Sequence, residues 1–167
     1  LLVIDQIGAG GSTVAAAAIG VLLGSEPAAV TGRGGGIDDT GWMRKVVACR
    51  DLMRRGRPYV DQPMALLDAF ASPGLAAVAG FVTAAAARRT PVLLGGVGSI
   101  AGALIAHQIR SAAAGWWLPG HRPDEPGVPA ALRAIGLDPV LDTDAGWCPG
   151  ALAAVPLLRA AALSAGS

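Results

Sequence analysis

The first sixteen residues constrain this chain most. Leu1-Leu2-Val3-Ile4 is a short apolar run that passes through Asp5-Gln6-Ile7 into Gly8-Ala9-Gly10-Gly11, then Ser12-Thr13 and a run of alanines. A short apolar run that ends in glycine reads as a buried parallel strand. The alanine-rich stretch Ser12 to Leu23 reads as a helix, with Ser12 as its N-cap and Gly24 as its stop. Strand, glycine turn and helix in that order point backbone N–H groups and two hydroxyls at a place where the helix dipole favours an anion such as phosphate. A buried strand at residue 1 also suggests a chain that begins partway through a fold.

Small residues dominate the rest of the chain. Hydrophobic content is 53%, charged content is only 15%, and there are 24 glycines. Such residues permit close packing of helix on sheet, and equally of helix on helix in lipid. The uncharged stretch Pro91 to Gln108 is about the minimum length for a membrane span. Its glycines, its histidine and its strand-like Pro-Val-Leu-Leu opening argue against one, so no membrane partner is expected. A net charge of +1 offers no basis for a nucleic-acid partner. Cys49 and Cys148 have no metal-ligand spacing and form no disulfide framework, and no secretion signal opens the sequence. The expectation is a cytoplasmic protein with reduced thiols, no metal and no cofactor.

Further along, helices are expected over Thr40–Arg55, Pro63–Phe70, Pro73–Arg89, Ser99–Ser111, Ala130–Ile135 and Gly150–Leu163. Strands are expected at Pro91–Leu94, Gly115–Leu118 and Pro139–Leu141. Strands alternating with helices give an α/β fold: a Rossmann-like three-layer domain with a mostly parallel sheet, spanning residues 1–167. Gly8-Ala9-Gly10-Gly11-Ser12-Thr13 lacks the third glycine of a dinucleotide fingerprint and the Gly-Lys pair of a Walker A loop. A glycine turn after a strand serves packing as readily as phosphate binding. The second loop, Thr31-Gly32-Arg33-Gly34-Gly35-Gly36, strengthens the ligand reading, because Arg33 lies in it and Lys45 follows. Loops leaving the carboxyl ends of parallel strands are where ligands bind. The candidate phosphate cradle is therefore Gly8, Gly10, Ser12, Thr13, Gly32, Arg33, Gly34 and Lys45.

These residues carry a resemblance. Gly-Ala-Gly-Gly-Ser-Thr-Val-Ala-Ala-Ala-Ala from Gly8 and Gly-Arg-Gly-Gly-Gly-Ile-Asp-Asp-Thr-Gly-Trp-Met-Arg-Lys from Gly32 open an ordered series of matches. Ala76–Gly80, Ala84–Leu94, Gly120–Gly127, Leu132–Pro139 and Ala154–Leu158 continue it. Together they resemble the C-terminal half of the nicotinate-nucleotide–dimethylbenzimidazole phosphoribosyltransferase family. The resemblance implies transfer of phosphoribose from nicotinate mononucleotide to a benzimidazole, which makes the α-ribazole phosphate of cobalamin's lower ligand. It also implies a homodimer, or pairing with a chain that supplies the remaining half.

The attacking ring must lose a proton, so a carboxylate base belongs beside it. In the family this is a glutamate in a Gly-Glu-Gly-x-Gly loop, and the matching position here is Trp147. Indole has no basic nitrogen. Asp142 and Asp144 lie close by, and Asp144 is the candidate substitute. Other acidic positions of the family correspond to Gln6, Gly74 and Gly95. His121 follows the position (here Gly120) at which the family places a serine near the nucleotide, and is a candidate binding residue. These replacements leave a second reading open: a degenerate, non-catalytic member that binds a nucleotide or stabilises a partner.

Overall fold

The computed structural model describes residues 1–144, 146 and 148–166. Trp147, the position expected to hold the base, lies outside the described residues. Three parallel strands, β1 (Leu2–Ile4), β2 (Val92–Leu94) and β3 (Trp117–Pro119), pair in the order β1-β2-β3, with Leu2 opposite Val92 and Val92 opposite Trp117. Each connection carries helices: α1 (Gly11–Leu23), α2 (Pro27–Val30), α3 (Asp39–Gly56), α4 (Pro63–Phe70) and α5 (Pro73–Ala87) before β2, then α6 (Val97–Ile109) before β3. α7 (Val128–Ile135) and α8 (Cys148–Ala165) follow.

Pleating divides the sheet's two faces. Val92, Leu94 and Trp117 join the main core formed with α1 and α3–α7, whereas Leu93 turns the other way and meets Ala151 and Ala154 of α8. The result is the expected three-layer α/β arrangement. The alanine richness explains the close approach of the layers. Ala15 to Ala18 are fully buried, and at Gly102 an added Cβ would lie 2.4 Å from Val78 Cγ1, so only glycine lets α6 lie this close to α5.

Several expectations change. Ser12 is not the N-cap: α1 starts at Gly11, Gly10 caps it at φ 76°, and no side chain makes a capping bond. The turn's own geometry satisfies the first amides instead, with the Thr13 and Val14 N–H groups both donating to Gly10 O. Gly24 does stop the helix in the left-handed conformation. The second glycine loop does not leave a strand; it joins α2 to α3, whose N-cap Asp38 accepts from the Gly41 amide. Pro139–Leu141 is not a strand, only a single parallel bridge between Leu141 and His121. β3 begins later than expected, because Ser111–Trp116 winds into a 3₁₀ turn. Trp117 is buried in the core, and its indole N–H donates to Val82 O at 3.1 Å. The stretch Pro91–Gln108 is β2 plus α6, most of it buried inside the protein. Among the described residues one helix, α8, is long and apolar enough to cross a membrane, by length and composition only; it carries Pro156 and Arg159 and rests on the sheet.

Candidate functional site

The carboxyl ends of all three strands open on one edge of the sheet. β1 runs into Asp5 and the first glycine turn, β2 into Gly95-Gly96, and β3 into the Gly120–Gly127 loop. The second glycine loop reaches the same edge although it follows a helix. An added Cβ at Gly34 (φ 58°) would lie 3.1 Å from Ser12 Oγ and 3.2 Å from Lys45 Nζ. One hydroxyl from the first turn, the backbone of the second loop and one ammonium therefore meet at a point.

Lys45 is not simply pointed at solvent. Its Nζ donates to Gly32 O at 2.8 Å and to Glu125 Oε1 at 3.4 Å, and Glu125 Oε2 accepts the Gly32 N–H at 2.9 Å. The two side chains are 7% and 8% exposed. A buried ion pair thus clamps Gly32 at both its N–H and its C=O. An added Cβ at Gly32 would sit 2.3 Å from Glu125 Oε2, so the clamp demands glycine. Trp42 adds a second tie, donating its indole N–H to Thr31 O at 2.8 Å. Arg33 is exposed and pairs with Asp39 while donating to Ile37 O at 3.0 Å. Gly8 and Gly10 are exposed in the first turn, and Thr13 is half-buried in the first turn of α1.

Two cavities flank the meeting point and share Val97. The larger, about 720 Å³, is lined among others by Arg33, Gly34, Trp42, Glu125 and Asp144. The smaller, about 30 Å³, has room for roughly one water and is lined by Asp5, Gln6, Gly8, Ser12 and neighbours. Asp5 Oδ2 and Gln6 Oε1 are buried there without a hydrogen-bond partner among the described residues. Burial pushes the Asp5 carboxyl above the usual aspartate range, against the Gln6 amide that donates to Oδ1 at 2.7 Å and the charge of His121. Three of the four positions where the resemblance loses a carboxylate gather here: an added Cβ at Gly74 would lie 2.6 Å from Gln6 Nε2, and one at Gly95 would lie 3.1 Å from Asp5 Cβ. Asp5 is the carboxylate in that space.

His121 is fully buried. Its Nε2 lies 2.5 Å from Gly95 O, and its Nδ1 lies 3.8 Å from Oδ1 of Asp144, whose side chain is 47% exposed. Of the nine binding and phosphate candidates, Ser12, Gly32, Gly34 and Lys45 converge; Arg33 and Gly34 line the larger cavity, and Gly8 and Ser12 the smaller. Gly10 and Thr13 shape the turn, and His121 lies behind Asp144. Three residues escaped notice as site residues in the sequence: Asp5, Trp42 and Glu125. The available signal was position, since Asp5 directly follows β1 and Glu125 lies in the loop that leaves the carboxyl end of β3.

A phosphoribosyltransferase family profile matches residues 1–165. The nicotinate-nucleotide–dimethylbenzimidazole phosphoribosyltransferase of Mycobacterium tuberculosis (strain ATCC 25618 / H37Rv) is 47% identical over 163 residues, covering 96% of this chain and 45% of that protein. The chain belongs to this phosphoribosyltransferase family. The enzyme of the same name from Corynebacterium glutamicum is 44% identical over 163 residues, with 96% and 46% covered. The crystal structure of CobT from Thermus thermophilus superposes with a TM-score of 0.84 at 37% identity, covering 92% of this chain and 46% of that one. The chain thus spans a little under half the length of the phosphoribosyltransferases it matches.

Proposed function

We propose that this chain carries the nucleotide half of a phosphoribosyl transfer site, which moves phosphoribose from nicotinate mononucleotide to a benzimidazole and releases nicotinate. The observation that carries this reading is the meeting of Ser12, Gly34 and Lys45, of which Gly34 lines the 720 Å³ cavity. The two loops and the ammonium are suited to a phosphate. The cavity's other features suit the rest of the nucleotide. Trp42 offers an aromatic face, and carboxylates surround it, an arrangement that favours the cationic pyridinium of the substrate and the positive charge that develops on the ribose. A benzimidazole nitrogen bonds to C1′, the bond from C1′ to the pyridine nitrogen breaks with its electron pair, and the proton on the other benzimidazole nitrogen goes to a base. In this reading Asp144, which is half-exposed and lines the cavity, takes it.

The reading includes a cytoplasmic location and association, either with a second copy or with a chain that supplies the remainder of the fold. Leu152, Leu157 and Leu163 of α8 are exposed, and β1 is a sheet edge, which supports such contact. Calorimetric titration with nicotinate mononucleotide, and formation of α-ribazole phosphate from it and dimethylbenzimidazole, test the reading. Binding is expected in the parent and weaker binding in Lys45→Ala; turnover is expected to fall in Asp144→Asn. Equal binding by parent and Lys45→Ala, or none at millimolar nucleotide, would remove the phosphate site.

A further inference from the structure

His121 and Asp144 face one another in a way that single acceptors do not. His121 Nε2 lies against Gly95 O, a pure acceptor, so that nitrogen carries the ring proton. Nδ1 then presents a lone pair. It is buried, has no hydrogen-bond partner among the described residues, and points toward Asp144 Oδ1 at 3.8 Å. Two acceptors in that relation hold each other at more than hydrogen-bond distance until a proton arrives between them. The surroundings are cleared for the ring. An added Cβ at Gly150 would lie 2.5 Å from His121 Cδ2, and one at Gly96 would lie 2.7 Å from Asp5 Oδ1. Asp5 lies near enough for its charge to couple to the imidazole, and its own Oδ2 is likewise unpartnered among the described residues.

We propose that His121 and Asp144 act as one proton acceptor for the transfer reaction, with His121 the positioning residue behind the cavity-facing carboxylate and Asp5 stabilising the imidazolium. The proposal rests on the phosphoribosyl transfer reading above. The proton from the benzimidazole N–H reaches Asp144 and is shared with His121 Nδ1, while Nε2–H keeps its bond to Gly95 O. No other reactant is needed. The charged or titratable groups on the described elements around the ring are Asp5 beyond β1, Asp144 before α8 and Cys148 at the start of α8; Arg122, next in the chain, is held by Asp142 at 2.7 Å.

The full chain contains two histidines, so ring-nitrogen NMR resolves His121 from His107. The His121 Nδ1 resonance is expected to differ between the parent and Asp144→Asn, with the Nε2 resonance unchanged. In turnover, His121→Gln is expected to lower kcat at least tenfold with KM for nicotinate mononucleotide within twofold of the parent. An unchanged Nδ1 resonance in Asp144→Asn overturns the shared proton. A changed Nδ1 resonance with kcat of His121→Gln within twofold of the parent overturns the positioning role. No turnover in the parent, with the Nδ1 resonance still sensitive to Asp144→Asn, would overturn the transfer reading and the role that rests on it, while the contact itself would stand as measured.

Discussion

Replacing Lys45 by methionine leaves the Glu125 carboxylate buried with only the Gly32 amide to solvate it. Breaking one side of a buried ion pair costs about 3–5 kcal/mol, because the remaining charge loses its counterion without regaining water. Both side chains are more than nine-tenths buried, so little of that is recovered from solvent. Glu125→Leu strands the ammonium in the same way, although Gly32 O still accepts from it at 2.8 Å, and is expected to cost a similar amount. The double variant behaves differently. With both charges gone, the cost is the loss of partners for the Gly32 N–H and C=O, about 1–3 kcal/mol for each group. Urea unfolding with linear extrapolation measures all three. The expected result is a double-variant cost well below the sum of the singles, at unchanged m-value. Additive costs, or singles below about 1 kcal/mol, would refute the clamp as the element that fixes the second glycine loop. A chain of this size changes Tm by roughly 2–4 °C per kcal/mol, so each single variant is also expected to melt roughly 10 °C lower.

Gly34→Ala places a Cβ 3.1 Å from Ser12 Oγ on a backbone with φ 58°, and is expected to cost about 1–2 kcal/mol and to weaken nicotinate mononucleotide binding in calorimetric titration. Asp5 makes a pH-dependent contribution whose sign follows from burial. Its folded-state pKa is raised above the ordinary value of 3.8, so the folded chain binds that proton more tightly than the unfolded chain does. Its stabilising contribution is fully present below 3.8 and is lost as pH rises through the raised value. Asp5→Asn is expected to flatten that decline and to stabilise the chain at neutral pH, as denaturation at several pH values will show; steeper loss of stability in the variant would reverse the argument. Gly150→Ala would drive a methyl into the His121 ring, and an expected destabilisation of about 1–3 kcal/mol should appear in thermal melting. Leu152→Ser with Leu157→Ser is expected to shift sedimentation toward the smaller species, and an unaltered distribution would argue against α8 as the association surface.

The alternation of short apolar runs with alanine-rich helices settled the α/β class without tertiary help. A three-residue strand with helices on both faces needs continuous apolar character, and Val92-Leu93-Leu94 has it. Helix α1, of 13 residues, was legible in part because the stop signal Gly24 marks its end. The ordered motifs likewise carried the family, since they recur in fixed sequence order through the whole chain.

What the sequence could not decide is which polar groups face one another, because that depends on contacts far apart in the chain. Gly32 and Glu125 are 93 residues apart, yet their hydrogen bond forms only when the loop after β3 folds against the loop before α3. Lys45 reads in sequence as an available cation; the fold buries it with a counterion. Ser12 reads as a helix cap, but the left-handed Gly10 ends the turn first and leaves the hydroxyl beside Gly34. Gly74 and Gly95 read as lost acids, and the fold shows them beside Gln6 and Asp5, where the missing side chains leave room for a carboxylate contributed from the end of β1. Local pattern fixes an element through backbone geometry and burial periodicity, which act over a few residues. The charge and hydrogen-bonding state of a site depends on desolvation and on partners brought together by packing, and only the tertiary structure supplies those.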